Sequence, residues 1–195
     1  MRYGPAHKAQ ARTRILGAVG RGFRRLGYGG IGVDGLAREA GVTSGAFYGH
    51  FTSKAEAFEA AAVAGITELR EAICGLQATA GDTWLAAFVD FYLSTKRTCE
   101  LGESCALQSL TPEVARAEHP TRAAYEAELL RLVEAAAAGL PGTAAARRKL
   151  AWTILAMLSG GVTLARASND PRIGAQIAAA VKTSITALVK LGTDV

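Results

Sequence analysis

The sequence predicts an all-α protein: a three-helix head of helix-turn-helix type at the N-terminus, followed by a larger helical bundle. Apolar residues recur at helical spacing along nearly the whole chain, with no strand alternation of note. Within residues 27–58, two short helical patterns meet at a tight glycine turn. Charge is segregated as well: residues 1–54 hold nine Lys/Arg against two Asp/Glu, a net of +7, whereas residues 55–195 hold thirteen against fifteen, a net of −2. A basic head on a near-neutral body points to a polyanion at one end. At 195 residues the chain has room for one such head, expected at 1–54, and one modest bundle, expected at 55–195.

The first helix is expected from about Ala9 to Leu26, burying Ile15, Leu16, Val19, Phe23 and Leu26. Gly17, Gly20 and Gly22 each cost it about 1 kcal/mol relative to alanine, so packing must hold it. Val33, Leu36, Ala37 and Ala40 then form one face of a two-turn helix that Gly41 closes in the left-handed conformation. Thr43 restarts the chain as an N-cap. The third helix buries Phe47 and Phe51 and turns Ser44, Gly45 and Tyr48 outward, where a hydroxyl, first-turn amides and a phenol suit a nucleic acid. Ser53-Lys54-Ala55-Glu56 reads as a capping box opening a long fourth helix with the seam Phe58, Ala62, Ile66, Leu69, Ile73 and Leu76, which ties head to body.

Beyond it, breaks fall at Gly81-Asp82, Leu101-Gly102, Thr111-Pro112, His119-Pro120, Leu140-Pro141-Gly142 and Asn169-Asp170-Pro171. Asp82, Thr111 and Asp170 are expected N-caps, the last two followed by proline at the first helical position. A helix over 121–138 and two long ones over 144–168 and 171–191 complete a bundle of about six helices. The most apolar run, Leu150 to Leu158, is broken by Ser159-Gly160-Gly161, too short for a comfortable membrane span. The run Ile15 to Val19 falls far short of a signal-peptide core, so a cytoplasmic protein is expected, with no membrane partner. Three cysteines without a CxxC or a histidine cluster argue against a disulfide framework or a metal site, and no cofactor is expected.

Gly27-Tyr28, the run Val33 to Phe51 and Ser53 to Phe58 together resemble the DNA-binding domain of the TetR/AcrR family of bacterial regulators. The resemblance implies a dimer of all-α subunits, each with a reading head and a C-terminal domain that binds an effector and dimerises. It implies base contacts at Ser44 and Gly45, and phosphate contacts at Tyr48, His50 and Lys54. Thr43 belongs to the same contact set, although its hydroxyl is also needed as the cap, and His50 has a second role open to it as a brace at the helix end. Gly32 stands where many relatives cap the second helix with Ser or Thr, and Gly49 where many carry a larger residue. One contact per subunit is therefore expected to be missing. In such proteins the last two helices of each subunit form a four-helix bundle across a two-fold axis. Ile154 and Leu158 on one, and Ile177, Val181 and Leu188 on the other, are the expected interface, the alternative being that these stripes pack within one subunit.

The segment Glu103 to Ala115 is similar to a Gly-Cys-x-x-x-x-Leu-x-x-Glu-Val-Ala stretch of one branch of that family, some members of which sense electrophiles or oxidants through its cysteine. Here Ser104 replaces the glycine, and Cys99 lies six residues before Cys105. Cys105 is either such a sensor or a small buried apolar residue. Trp84, Phe88, Tyr92, Tyr125 and Trp152, with Cys105, are the effector-site candidates for an unidentified small molecule. The expected function is a repressor released by that effector, or by a thiol-reactive one, from a palindromic double-stranded DNA operator. The alternatives are a constitutive architectural DNA binder, or an all-α carrier or enzyme that retains a helix-turn-helix. No paired carboxylates, Ser/His/Asp set or phosphate loop favours catalysis.

Overall fold

A computed structural model describes residues 5–193 of the chain, and side chains from 9 to 190. Among the described residues there are α-helices and short 3-10 turns and no strands. The helices are α1 (Pro5–Gly30), α2 (Val33–Glu39), α3 (Ser44–Tyr48), α4 (Lys54–Ala80), α5 (Trp84–Thr98), α6 (Ala106–Ser109), α7 (Thr111–Val114), α8 (His119–Ala138), α9 (Ala144–Ala167) and α10 (Pro171–Thr193).

The chain divides into two compact units, one made of residues 1–65 and 100–125, the other of 66–99 and 126–195. This differs from the boundary expected at 54/55. The head keeps the first turns of α4 and also takes in the segment 100–125, which is distant in sequence and so left no local signal. In that first unit Gly102 sits against α1, where Arg24 Nε donates to its carbonyl at 2.7 Å. Glu113 Oε1 accepts the Tyr28 amide at 3.3 Å, beside Gly27, whose φ of +72° breaks the end of α1. A Cβ on Gly27 would lie 2.8 Å from that carboxylate oxygen, the movable end of a long side chain, so it is the backbone conformation that requires glycine.

The head's core is Ile15, Val19, Phe23, Leu36, Phe47, Phe51 and Phe58, all nearly inaccessible to water. Phe23 and Phe58 meet edge to face with ring centres 5.2 Å apart. Two expected members fall short: Leu16 is half-buried, and Leu26, just before the break at Gly27, is 47% exposed. Ser53 Oγ caps α4 by accepting the Glu56 amide at 3.0 Å. Glu56 reaches back to the amide and hydroxyl of Thr52, one residue earlier than a reciprocal box requires. Of the other expected caps, Asp170 accepts the Arg172 amide at 2.8 Å. Asp82 lies instead inside a 3-10 turn, Gly81–Thr83. Thr111 spends its hydroxyl on the Leu107 carbonyl and on Tyr125, so α7 begins without a side-chain cap.

In the second unit α9 packs on α5 and α10, and α10 on α5. Gly161 lets α10 approach closely, since a Cβ there would lie 2.8 Å from Val181 Cγ2. Glu128 is a buried carboxylate on α8, held by Arg70 Nε at 2.8 Å and Arg131 at 2.9 Å. Burial pushes its carboxyl up, but bonds from Arg70, Arg131 and Thr67 outweigh that, leaving it below the usual range. Over its full length α9 is long and apolar enough to cross a membrane, which its apolar run from Leu150 to Leu158 alone is not; its buried stripe is covered by its neighbours in the bundle.

Candidate nucleic-acid interface

Helix α2 ends as its sequence suggests. Ala40 is the cap, Gly41 takes φ +65°, the Gly41 amide bonds the Arg38 carbonyl at 3.1 Å and the Val42 amide bonds the Ala37 carbonyl at 2.9 Å. This pair of bonds satisfies two carbonyls that the helix end would otherwise orphan, and it turns the chain sharply. Thr43 then caps α3, its Oγ1 accepting the Ala46 amide at 3.1 Å. Phe47 is buried and Phe51 packs against it with ring centres 5.3 Å apart, which fixes the rotation of α3 and leaves the opposite face bare.

On that face Gly45, Ala46 and Gly49 are exposed, and Tyr48 is 54% exposed. Ser44 is half-buried, because its hydroxyl donates to Asp34 Oδ1 of α2 at 2.5 Å. Its partner lies ten residues upstream, and the one local hint was an acid in the first turn of α2. Gly32 precedes α2 with no side-chain cap, as anticipated. Lys54 holds its ammonium 4.4 Å from the centre of the Tyr28 ring, a cation–π contact that keeps its charge at the start of α4. His50 is half-buried with Nδ1 lacking a protein partner, so bracing through that nitrogen is not made here. Arg12, from α1, lies over the Phe51 ring and 3.9 Å from Glu56. The Glu56 carboxyl is held below its usual range by the Thr52 hydroxyl first, then by the Thr52 amide, with Arg12 adding attraction.

The effector candidates are divided. Trp84, Phe88 and Tyr92 lie buried along α5 in the second unit, with Trp84 Nε1 donating to the Gly139 carbonyl at 2.9 Å. Trp84 and Phe88 border a void of about 10 Å³, walled by Leu85, Ala136, Leu140, Ala151, Ile154 and Leu155, no larger than one water. Cys105 and Tyr125 are buried in the first unit. Burial pushes the Tyr125 hydroxyl up to about 12 despite its bond with Thr111. Trp152 is 38% exposed, because it faces outward from α9.

The expected dimer residues differ in depth within one chain. Ile154 and Leu158 are buried inside a single chain, and Ile177, Val181 and Leu188 are half-buried. The broad stripes read from sequence include the face that each helix turns to its own subunit. Cys99 is half-buried, with Arg166 Nη2 3.1 Å from its sulfur. Among the described residues no three potential metal ligands of the His, Cys, Asp and Glu types cluster.

A basic head presenting a capped, glycine-turned helix on an all-α body defines a DNA-binding transcriptional regulator of the helix-turn-helix class. Residues 15–61 match the family model described as bacterial regulatory proteins, tetR family. Solved structures agree over nearly the whole chain. A TetR-family transcriptional regulator from Streptomyces coelicolor is 17% identical with a TM-score of 0.74, covering 95% of this chain and 97% of that one. E. coli NemR in its reduced form is 17% identical, with a TM-score of 0.72 over 89% and 96%. The fatty acid degradation regulator FadR from Bacillus halodurans is 17% identical, with a TM-score of 0.67 over 97% of each. No curated protein matches. Residues 15–61 thus match the tetR-family model, and the chain as a whole has the all-α fold of the solved regulators it resembles.

Proposed function

We propose that the protein is a homodimeric repressor whose two heads insert α3 into major grooves about one helical turn apart, or a multiple of it, on a near-palindromic operator. The observation that supports this most is the bare face of Ser44, Gly45 and Tyr48, held outward by buried Phe47 in a head that carries all the chain's excess positive charge. Thr43 serves as the cap, while Tyr48, His50 and Lys54 take phosphates. The division at 54/55 then marks the end of the reading surface rather than of a compact unit.

The intersubunit face lies outward of the expected residues, on the α9 stripe Trp152, Ala156, Gly160 and Leu164, each exposed and one turn from the next. Small groups flanked by large apolar ones allow two helices to approach closely. The input is a non-covalent effector taken up in the body near Trp84 and Phe88. The void there must open to admit it, so bound and free states differ, and an effector that prefers the spacing unfit for DNA shifts the population by a coupling of about 1–3 kcal/mol.

A gel shift on the DNA upstream of the protein's own gene, with and without a panel of metabolites and oxidants, tests this reading. Retardation relieved by one compound is expected. Retardation indifferent to sequence and to every compound would instead favour a constitutive architectural binder.

A further inference from the structure

We propose that Asp34 sets base specificity by fixing the polarity of Ser44, so that each head demands a hydrogen-bond donor, cytosine or adenine, at one base of its half-site. The inference rests on the reading of α3 as the groove-binding helix.

A serine hydroxyl can give or take a hydrogen bond, and alone it discriminates bases poorly. Here the choice is made within the protein. The hydroxyl lies 2.5 Å from Asp34 Oδ1, and a carboxylate can only accept, so the serine proton points at α2. What remains outward is the serine lone pairs and the second carboxylate oxygen, all acceptors. Of Ser44, Gly45 and Ala46 in the first turn of α3, only Ser44 carries a polar side chain. Thr43 has committed an acceptor site to the Ala46 amide.

In the major groove, cytosine offers its N4 amino group and adenine its N6 amino group, whereas guanine presents O6 and N7 and thymine presents O4, all acceptors. A pair that shows only acceptors is satisfied by cytosine or adenine. Against guanine or thymine it sets lone pair against lone pair and leaves desolvated acceptors without partners.

The charge pattern argues in the same direction. Residues 1–54 hold two acids, Asp34 and Glu39. Glu39 pairs with Arg25, whereas the partner of exposed Asp34 is the Ser44 hydroxyl. A carboxylate on the groove-facing side of a basic head repels phosphates, a cost in affinity that base selection offsets. The competing role, an acid in the first turn of α2 serving the helix dipole, acts on stability and not on base preference.

The test is selection from a random duplex pool by the full-length protein, followed by titration of singly substituted duplexes, for wild type, Asp34→Asn, Asp34→Ala and Ser44→Ala. Wild type should enrich cytosine or adenine at one position per half-site, with guanine or thymine there weakening binding about tenfold. A carboxamide in place of the carboxylate can donate to Ser44 and release its proton outward, so D34N should bring the four bases within about twofold at that position. D34A should bind random duplex several-fold more tightly, and S44A should narrow the preference at the same position. Thermal melting checks that each variant folds, and S44A carries the test if D34N does not. The proposal is overturned if D34N and S44A keep the wild-type preference at every position, or if the position that responds selects guanine or thymine. Failure of wild type to enrich any duplex would remove the groove-binding reading itself, a result separable from a motif that ignores Asp34.

Discussion

Tyr48 and Lys54 differ in how the fold already uses them, and their variants should differ accordingly. The Tyr48 ring leans edge-on against Phe47 with centres 5.7 Å apart, and the residue is 54% exposed, so Tyr48→Phe should leave stability unchanged. It should weaken operator and random DNA alike, because a phosphate contact carries no sequence information. Lys54→Ala should flatten the salt dependence of binding by about one unit per subunit. It should also cost about 0.5–1 kcal/mol of stability through the lost contact with Tyr28. Fluorescence-anisotropy titrations across a salt series check both; if Lys54→Ala alters base preference, the phosphate assignment is inverted. The cysteines give a second prediction at this scale. Cys74 is exposed, Cys99 half-buried and Cys105 buried, so a thiol-reactive probe should label them in that order, with Cys105 protected until the protein unfolds. Rapid labelling of Cys105 in the folded protein, together with release of DNA by oxidant that Cys105→Ser abolishes, would restore the thiol-sensing alternative.

At the scale of elements, close approach and charge pairing decide what each helix tolerates. Gly161 on α9 and Gly75 on α4 are both glycines inside helices, and each costs its helix about 1 kcal/mol relative to alanine. Nothing lies within 4 Å of a Cβ on Gly75, whereas one on Gly161 meets Val181 at 2.8 Å. Gly75→Ala should therefore raise the melting temperature, and Gly161→Ala should lower it, by about 1–3 kcal/mol of overpacking less the propensity gain. Equal gains in both would show that α10 yields freely. The pair Arg70–Glu128 joins α4 to α8 and makes stability depend on pH. Glu128 has its carboxyl depressed in the folded state, so its contribution is present above the ordinary glutamate range near 4.5 and is lost as pH falls through the lower folded value. Denaturant melts should show that acid loss shrinking in Glu128→Gln, which cannot titrate. An unchanged pH profile would mean that other carboxylates dominate.

For the whole molecule the decisive quantity is the subunit count. Leu164 is 62% exposed on α9, so Leu164→Glu places a carboxylate in water in the monomer and should leave the fold intact. At a two-fold contact the same change would bury two unpaired charges against apolar partners. Sedimentation should show a folded monomer with sharply weaker operator binding, because each half-site is then bound separately. Val181→Glu is a poorer probe, since Val181 already packs on Gly161 within the subunit and the change would damage the protomer first. Wild-type protein that sediments as a monomer while binding operator tightly would remove the dimer reading.

Local chemistry was legible in the sequence because it acts over a few residues. Gly41 had to close α2, Thr43 had to cap α3, Phe47 and Phe51 had to turn inward together, and the basic excess sat in the first 54 residues whatever the chain did later. Those features determined the class of fold and the helix proposed to read DNA. What only the tertiary structure decided depends on residues distant in sequence: that segment 100–125 joins the head, that Glu113 fills the space beside Gly27, that Ile154 and Leu158 are buried within one chain, and that Asp34 accepts a hydrogen bond from Ser44. A periodic stripe states that a helix has a buried face without stating which neighbour buries it. A hydroxyl shows its donor and acceptor together until a second helix brings up a carboxylate that can only accept.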